Sequence, residues 1–263
     1  MASGIASFRM YNATPAVAVA WQALFVQVFE DLRWPVEVIP HAWPAPLTDL
    51  WQRRDLVCGF MCGLPFVRGA APVVPLVAPV LRGHARYRSE FLVRAESGWH
   101  TLDDTFGHRF GWMAEHSQSG YQAARRALAP FARERGPLFG ASIGPLDTPA
   151  RTLDALRQRQ IDVTALDGFY LDLLRRHDPA ALAGIQTVGA TPWTPNPLLV
   201  AAESLPAEDR RLLVDKLVSL GAPGEDPRYR ALLDDVCIDR FVEPDLPAYD
   251  VLLTPIDGYP EIR

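Results

Sequence analysis

Short apolar runs alternate along the chain with longer stretches of helical period. Ile5 to Met10 reads as a first strand, with Tyr11 to Pro15 as its exit loop. From Ala16 to Leu32 the residues Trp21, Leu24, Phe25, Val28 and Leu32 recur on one stripe, which predicts a helix. Val36 to Pro40 predicts a second strand, Leu47 to Gln52 a short helix, and Asp55 to Phe60 a third strand that turns away through Met61 to Pro65. Pro72 to Pro79 is a continuous apolar strand broken by prolines, as expected at a sheet edge.

The same rhythm continues. Arg86 to Arg94 alternates as a strand, and Leu102 to Phe106 reads as a short helix that Thr101 can cap. Phe110 to Ala114 is a strand and Tyr121 to Arg133 a helix. Helices are expected over Thr148 to Gln158 and Phe169 to Arg176, with a strand over Ile161 to Leu166 between them. Gln186 to Val188 and Leu198 to Ala202 are strands separated by a proline-rich crossing, and Ala207 to Ser219 and Pro227 to Val236 are polar helices. Alternating strand and helix of this kind signals an α/β fold with a mainly parallel sheet.

Composition narrows the picture. The 263 residues are 49% apolar and 22% charged, enough for a sizeable core and unlike a disordered chain. The formal charge is −5 with no Lys/Arg block, which argues against nucleic-acid or anionic-membrane partners. No apolar run reaches the about 18 residues of a membrane span. Residues 1–7 lack the basic and long apolar segments of a secretory signal. The compartment is left open: cytoplasmic is the expectation for the sequence as written, periplasmic if a leader precedes it. Cys58, Cys62 and Cys237 have neither disulfide-framework nor zinc spacing, and Cys58 and Cys62 are expected to be small buried apolar residues. No cofactor or metal is expected.

The most informative stretch is Ser117-Gln118-Ser119-Gly120, between the strand at Phe110 and the helix from Tyr121. The first N–H groups of a helix have no partner inside it, and the macrodipole places partial positive charge there. Two hydroxyl donors and a glycine that lets a ligand approach complete an anion cradle. No lysine sits in the loop, which suits an oxyanion bound and released rather than phosphate chemistry. The competing reading is that Ser117 or Ser119 caps the helix. Two chain crossings, Arg82 to Ser89 and Thr191 to Pro197, suggest two lobes: 1–85, then 86–192, then a return over 193–263. Such a protein binds its ligand in the cleft between lobes.

Several stretches, in order along the chain, resemble the phosphonate/phosphite-binding subunits of ABC importers, which are type II periplasmic binding proteins. They are Met10-Tyr11, Asp55 to Pro65, Tyr87 to Arg94, Leu102-Asp103-Asp104, Gly107-His108-Arg109 and Glu115 to Tyr121. Thr152 to Leu156, Ile161 to Asp167 and Phe241-Val242 continue the set. The resemblance implies two α/β lobes joined by two strands and closing on a phosphonate, phosphite or phosphate. Ser117, Gln118, Ser119 and Gly120 would hold its oxygens, Tyr11 and Tyr87 would line the cleft, and Asp167 would face the distal group or accept a proton from the ligand. It also implies an ABC transporter membrane component as candidate partner. Where the family often has a Gly-Ser-His segment, this chain has Gly140 to Pro145.

Apart from that likeness, an alternative is a cytosolic enzyme or ligand sensor acting on a phosphorylated or carboxylated metabolite. Asp167, His116 or Cys62 would then be the acid or base. No compact acid/base constellation supports it, and Ser117 and Ser119 lack the G-x-S-x-G elbow of a hydrolase.

Overall fold

The computed structural model of the chain describes residues 2–222, 224 and 226–254. Contacts divide it into two units: Met1–Arg86 with Pro195–Asp250, and Tyr87–Thr194 with Val251–Arg263. Unit 1 begins with β1 (Gly4–Ser7), α1 (Pro15–Leu32), β2 (Val36–Val38), α2 (Leu47–Trp51), β3 (Leu56–Met61), α3 (Gly63–Val67), β4 (Val73–Val80) and the crossing strand β5 (Arg86–Tyr87). Unit 2 follows with β6 (Ser89–Arg94), β7 (Arg109–Gly111), α4 (Ala123–Arg135), β8 (Ala141–Ile143), α5 (Pro149–Arg157), β9 (Val163–Asp167), α6 (Gly168–His177) and β10 (Ile185–Ala190). The chain returns through β11 (Thr194–Pro195) to β12 (Leu198–Ala202), α7 (Ala207–Ser219), α8 (Pro227–Asp235) and β13 (Arg240–Val242). The two crossing strands, β5 and β11, pair with each other.

In unit 1, α1 starts where the sequence says it should. The Thr14 hydroxyl accepts from the Val17 amide at 3.2 Å, and Pro15 opens the helix. Its apolar stripe buries Trp21, Leu24, Phe25 and Val28 against Phe8 and Phe60, with Phe8 and Phe25 stacked at 3.9 Å. The sheet order is β13-β4-β12-β3-β1-β2. Only the β1–β2 and β1–β3 pairs are parallel; β12 runs antiparallel to β3 and β4, and β13 antiparallel to β4. The sheet is therefore mixed rather than mainly parallel. Helical crossovers keep β1, β2 and β3 in one direction, whereas β12 re-enters from unit 2 in the other.

β4 is not an edge strand, since β12 and β13 flank it. Its prolines are tolerated because Pro75 sits at a register shift and Pro79 faces the three-residue β13. The late helices α7 and α8 pack back on unit 1, against β4, β13 and α1.

Unit 2 has the order β10-β6-β9-β7-β8, with β7 parallel to β8 and β9, and β6 antiparallel to β9 and β10. Phe91, Val93, Phe110, Val163 and Leu128 form its core. At the amino ends of β7 and β9 the Asp162 carboxylate accepts from Arg94 Nη2 at 2.9 Å and from Arg109 Nε and Nη2 at 2.7 and 2.9 Å. Arg94 also donates to the Leu156 and Ile161 carbonyls. The Arg109 hydrogen bonds, then those from Arg94, hold the Asp162 carboxyl well below the usual carboxylate range.

Sequence and structure differ locally elsewhere. The strand expected over Arg86 to Arg94 is interrupted at Arg88, and α3 and β8 stand where the sequence pattern predicts no helix or strand. The helix after Phe110 begins earlier, through a π turn over Gln118–Gln122. The sequence reading assigns 193–263 to the first lobe, whereas residues 251–254 group with unit 2, where the Leu252 carbonyl accepts from Arg126 Nη2 at 2.6 Å. Residues 255–263 of that assignment lie outside the described residues.

Candidate functional site

The opening turn of α4 is held from several sides. Ser117 Oγ accepts from the Gly120 amide at 3.0 Å, and the Ser117 carbonyl accepts from the Gln122 amide at 3.0 Å, the long-range bond of a π turn. Ser117 is thus a helix cap. An accepting hydroxyl still has its own hydrogen to donate, so capping and anion binding are compatible. The Gly120 carbonyl accepts from the Met113 amide. A Cβ on Gly120 would stand 2.8 Å from Met113 Cβ and 3.0 Å from Ser117 Oγ. Glycine is required there by the turn itself, a reason for it beside the ligand approach expected from the sequence.

The turn is also tied to its neighbours. Ser89 Oγ, at the start of β6, donates to the Ser119 carbonyl at 2.8 Å. The Ser89 amide donates to Thr191 Oγ1 at 3.0 Å, and Ser89 pairs in register with Asp167 at the end of β9. Ser119, Ser89, Asp167 and Thr191 therefore converge at the carboxyl ends of β7 and β9, where open α/β sheets place their ligands. Ser117, Gln118, Ser119 and Tyr121 are all buried there. Gln118 is fully buried, and neither Nε2 nor Oε1 has a hydrogen-bond partner among the described residues. Sequence reasoning missed Ser89 and Thr191. Their only signal is a single polar residue at the mouth of an apolar strand and a threonine beside a proline.

The other expected residues are placed as follows. Asp167 caps α6, its Oδ1 accepting from the Phe169 and Tyr170 amides at 2.8 and 3.2 Å. Tyr87 is buried in the first crossing strand. Tyr11 belongs to unit 1, buried and edge-on to Phe60 at 4.9 Å, while its carbonyl accepts from Trp21 Nε1. Unit 1 adds a buried hydroxyl that the sequence did not flag: Ser7 Oγ, at the carboxyl end of β1, has no partner among the described residues.

His116 and Trp193 are exposed, and the Arg88 guanidinium lies 4.9 Å over the Trp193 ring. In the segment that stands for Gly-Ser-His, Ser142 Oγ accepts from Trp112 Nε1 at 3.0 Å, and a Cβ on Gly144 would lie 2.4 Å from the Trp112 ring. That stretch is occupied with seating Trp112.

The electrostatics are those of neutral donors. The turn holds no lysine; Arg125 stacks 5.4 Å from the Tyr121 ring centroid and donates to Gln122 Oε1. Burial pushes the Cys58 thiol far up, so it is no nucleophile. Cys62 is only half-buried, at the amino end of α3, contrary to the buried apolar role expected of it. Among the described residues no group of three or more His, Cys, Asp and Glu side chains is arranged to hold a metal ion. No described helix is long and apolar enough to cross a membrane.

The fold is that of the two-lobed type II periplasmic binding proteins. The chain belongs to the phosphonate family of ABC transporter periplasmic substrate-binding proteins, whose sequence model matches residues 11–249. No curated protein matches it by sequence. Among solved structures it is similar to PhnD1 of Prochlorococcus marinus in complex with methylphosphonate, with TM-score 0.77, 17% identity and coverage of 96% of this chain and 95% of that one. It is also similar to a binding protein component of an ABC phosphonate transporter from Pseudomonas aeruginosa, with TM-score 0.79, 16% identity and coverage of 97% and 84%. A Xanthomonas citri protein bound to ATP shares the fold at TM-score 0.65 and 16% identity, covering 98% and 97%. The family is one of substrate-binding proteins that work with ABC transporters, which sets aside the enzyme alternative.

Proposed function

We propose that this chain captures a small tetrahedral phosphorus oxyanion, a phosphonate, phosphite or phosphate, and presents it to the membrane component of an ABC importer. The seat is the opening turn of α4. The Ser117 and Ser119 hydroxyls and those first-turn amides that the turn does not itself use supply neutral donors at the positive end of the helix dipole. Asp167 stands beside Ser89 in the register of β6 and β9. The observation that carries the reading is Gln118, buried between two serines with its amide unpartnered. Buried polar groups in native proteins are paired or serve a role that leaves them open. Family membership and the methylphosphonate held by the Prochlorococcus protein support the ligand class.

Calorimetry with methylphosphonate, phosphite and phosphate tests this, together with native mass spectrometry for a co-purified anion. At least one of the three is expected to bind at one site per chain and to raise the melting temperature. No heat and no thermal shift with any of them would refute the proposal.

A further inference from the structure

We infer that Gln118 selects ligands that carry a proton on one oxygen, so that the bound form is a monoanion with one P–O–H group; this rests on the reading that the opening turn of α4 holds a phosphorus oxyanion. The argument is an inventory of donors and acceptors. The first-turn amides can only donate. Ser117 Oγ already accepts from Gly120 and has a hydrogen left to give. These groups suit bare oxygens. Gln118 Oε1 is different: it can only accept, and it is buried with no partner among the described residues.

A fully deprotonated oxyanion has nothing to offer that oxygen, and two facing acceptors in a dry site repel. An oxyanion with one O–H satisfies Oε1, while an adjacent bare oxygen takes a hydrogen from Nε2. Asp167 Oδ1 is committed to capping α6 through the Phe169 and Tyr170 amides, and the Gln118 variants below separate the amide's part from any played by Asp167 Oδ2. Reading both amide atoms as ligand groups does not depend on which is oxygen and which nitrogen, since neither has a protein partner.

The test holds charge and shape constant and varies only the proton. Below the second ionisation of the phosphonate, methylphosphonate and methanesulfonate are both tetrahedral monoanions, and only the phosphonate carries O–H. The wild-type protein is expected to bind methylphosphonate about tenfold to a hundredfold more tightly, the range set by an unpaired buried acceptor. Gln118→Met keeps the length and removes both polar atoms. Gln118→Asn keeps the amide and withdraws it by one methylene. Each should bring the ratio to within about twofold, the level expected of a site without that acceptor.

Circular dichroism checks that the variants fold. Where they do not, the wild-type ratio decides, and a ratio near one overturns the inference. Undiminished discrimination in both folded variants overturns it too, with the oxyanion reading intact. Failure of the wild type to bind phosphonate, phosphite or phosphate sinks the underlying reading instead, and the inference with it.

Discussion

At the amino ends of β7 and β9, Asp162 collects hydrogen bonds from Arg94 and Arg109, and Arg94 goes on to two carbonyls. At the carboxyl ends of the same strands, Gln118 is just as buried and its amide has no protein partner among the described residues. One end of the sheet is saturated within the chain, and the other is left open. A buried polar group with a full set of partners is architecture. One without them, in a turn that is otherwise well tied, is where we place the proposed ligand. The two ends should therefore respond differently to mutation, in affinity at one and in stability at the other.

The largest effect is expected at the open end. Ser117→Ala combined with Ser119→Ala removes two hydroxyls from a charged acceptor, at roughly 1.5–3 kcal/mol each. Calorimetry with methylphosphonate should show affinity falling by several kcal/mol. Ser117 also caps the turn, so part of its effect, about 1 kcal/mol, belongs in the melting temperature. Unchanged affinity in the double variant would erase the distinction between the ends.

Asp162→Ala should do the reverse. It strips the partner from two guanidinium groups, one of them largely buried, and should cost about 3 kcal/mol, the low end for a broken buried pair because Arg109 is partly solvated. Urea denaturation measures this, and oxyanion affinity should stay within about twofold, as for sites that share no partners. The pH dependence has a definite sign. The folded carboxyl is held below its ordinary value of about 3.9, so its contribution is fully present above that pH. It is lost as pH falls toward the folded value, and the variant should lack that acid-limb loss. A variant as stable as the wild type would show the cluster to be decorative.

Gly120→Ala sharpens the contrast from inside the open end. The added methyl would press on Met113 Cβ and Ser117 Oγ, neither the far end of a flexible chain. Overpacking of this kind costs about 1–3 kcal/mol. Because the displaced atom is Ser117 Oγ, affinity should fall along with melting temperature. Loss of affinity with full stability would leave Gly120 only the ligand-approach role that the sequence suggested.

Local features were legible in the sequence. The runs Leu198–Ala202 and Ala207–Ser219 stand where periodicity put them, and the Ser-x-Ser-Gly turn was recognisable from strand, hydroxyls and helix in succession. What was not legible depends on residues far apart in the chain. β12 reads as an apolar strand in either direction, and only its return from unit 2 makes it antiparallel. The prolines of β4 suggested an edge because nothing local shows that β12 and β13 flank it. The turn's own need for Gly120 was hidden because the contact with Met113 is formed only when the loop folds back. Gln118 is named with its neighbours in the turn by the family resemblance, but nothing in the sequence sets it apart from them. Its weight comes from burial and missing partners, which no spacing encodes.

The smallest expected effect bears on how the open end is held in place. Ser89 Oγ is the tie from β6 to the Ser119 carbonyl, and the Ser89 amide continues to Thr191. Ser89→Ala deletes the hydroxyl and leaves the backbone ladder with Asp167 intact. A single neutral hydrogen bond of this kind contributes about 0.5–1.5 kcal/mol, with a further penalty if the Ser119 carbonyl finds no substitute donor. If Ser89 only positions the turn, stability and affinity should both fall slightly, with the preference for methylphosphonate over methanesulfonate kept. Should Ser89→Ala abolish that preference while the fold stays intact, the acceptor that reads the ligand's proton would depend on β6 as well as on Gln118. The open end would then extend across two strands rather than one turn.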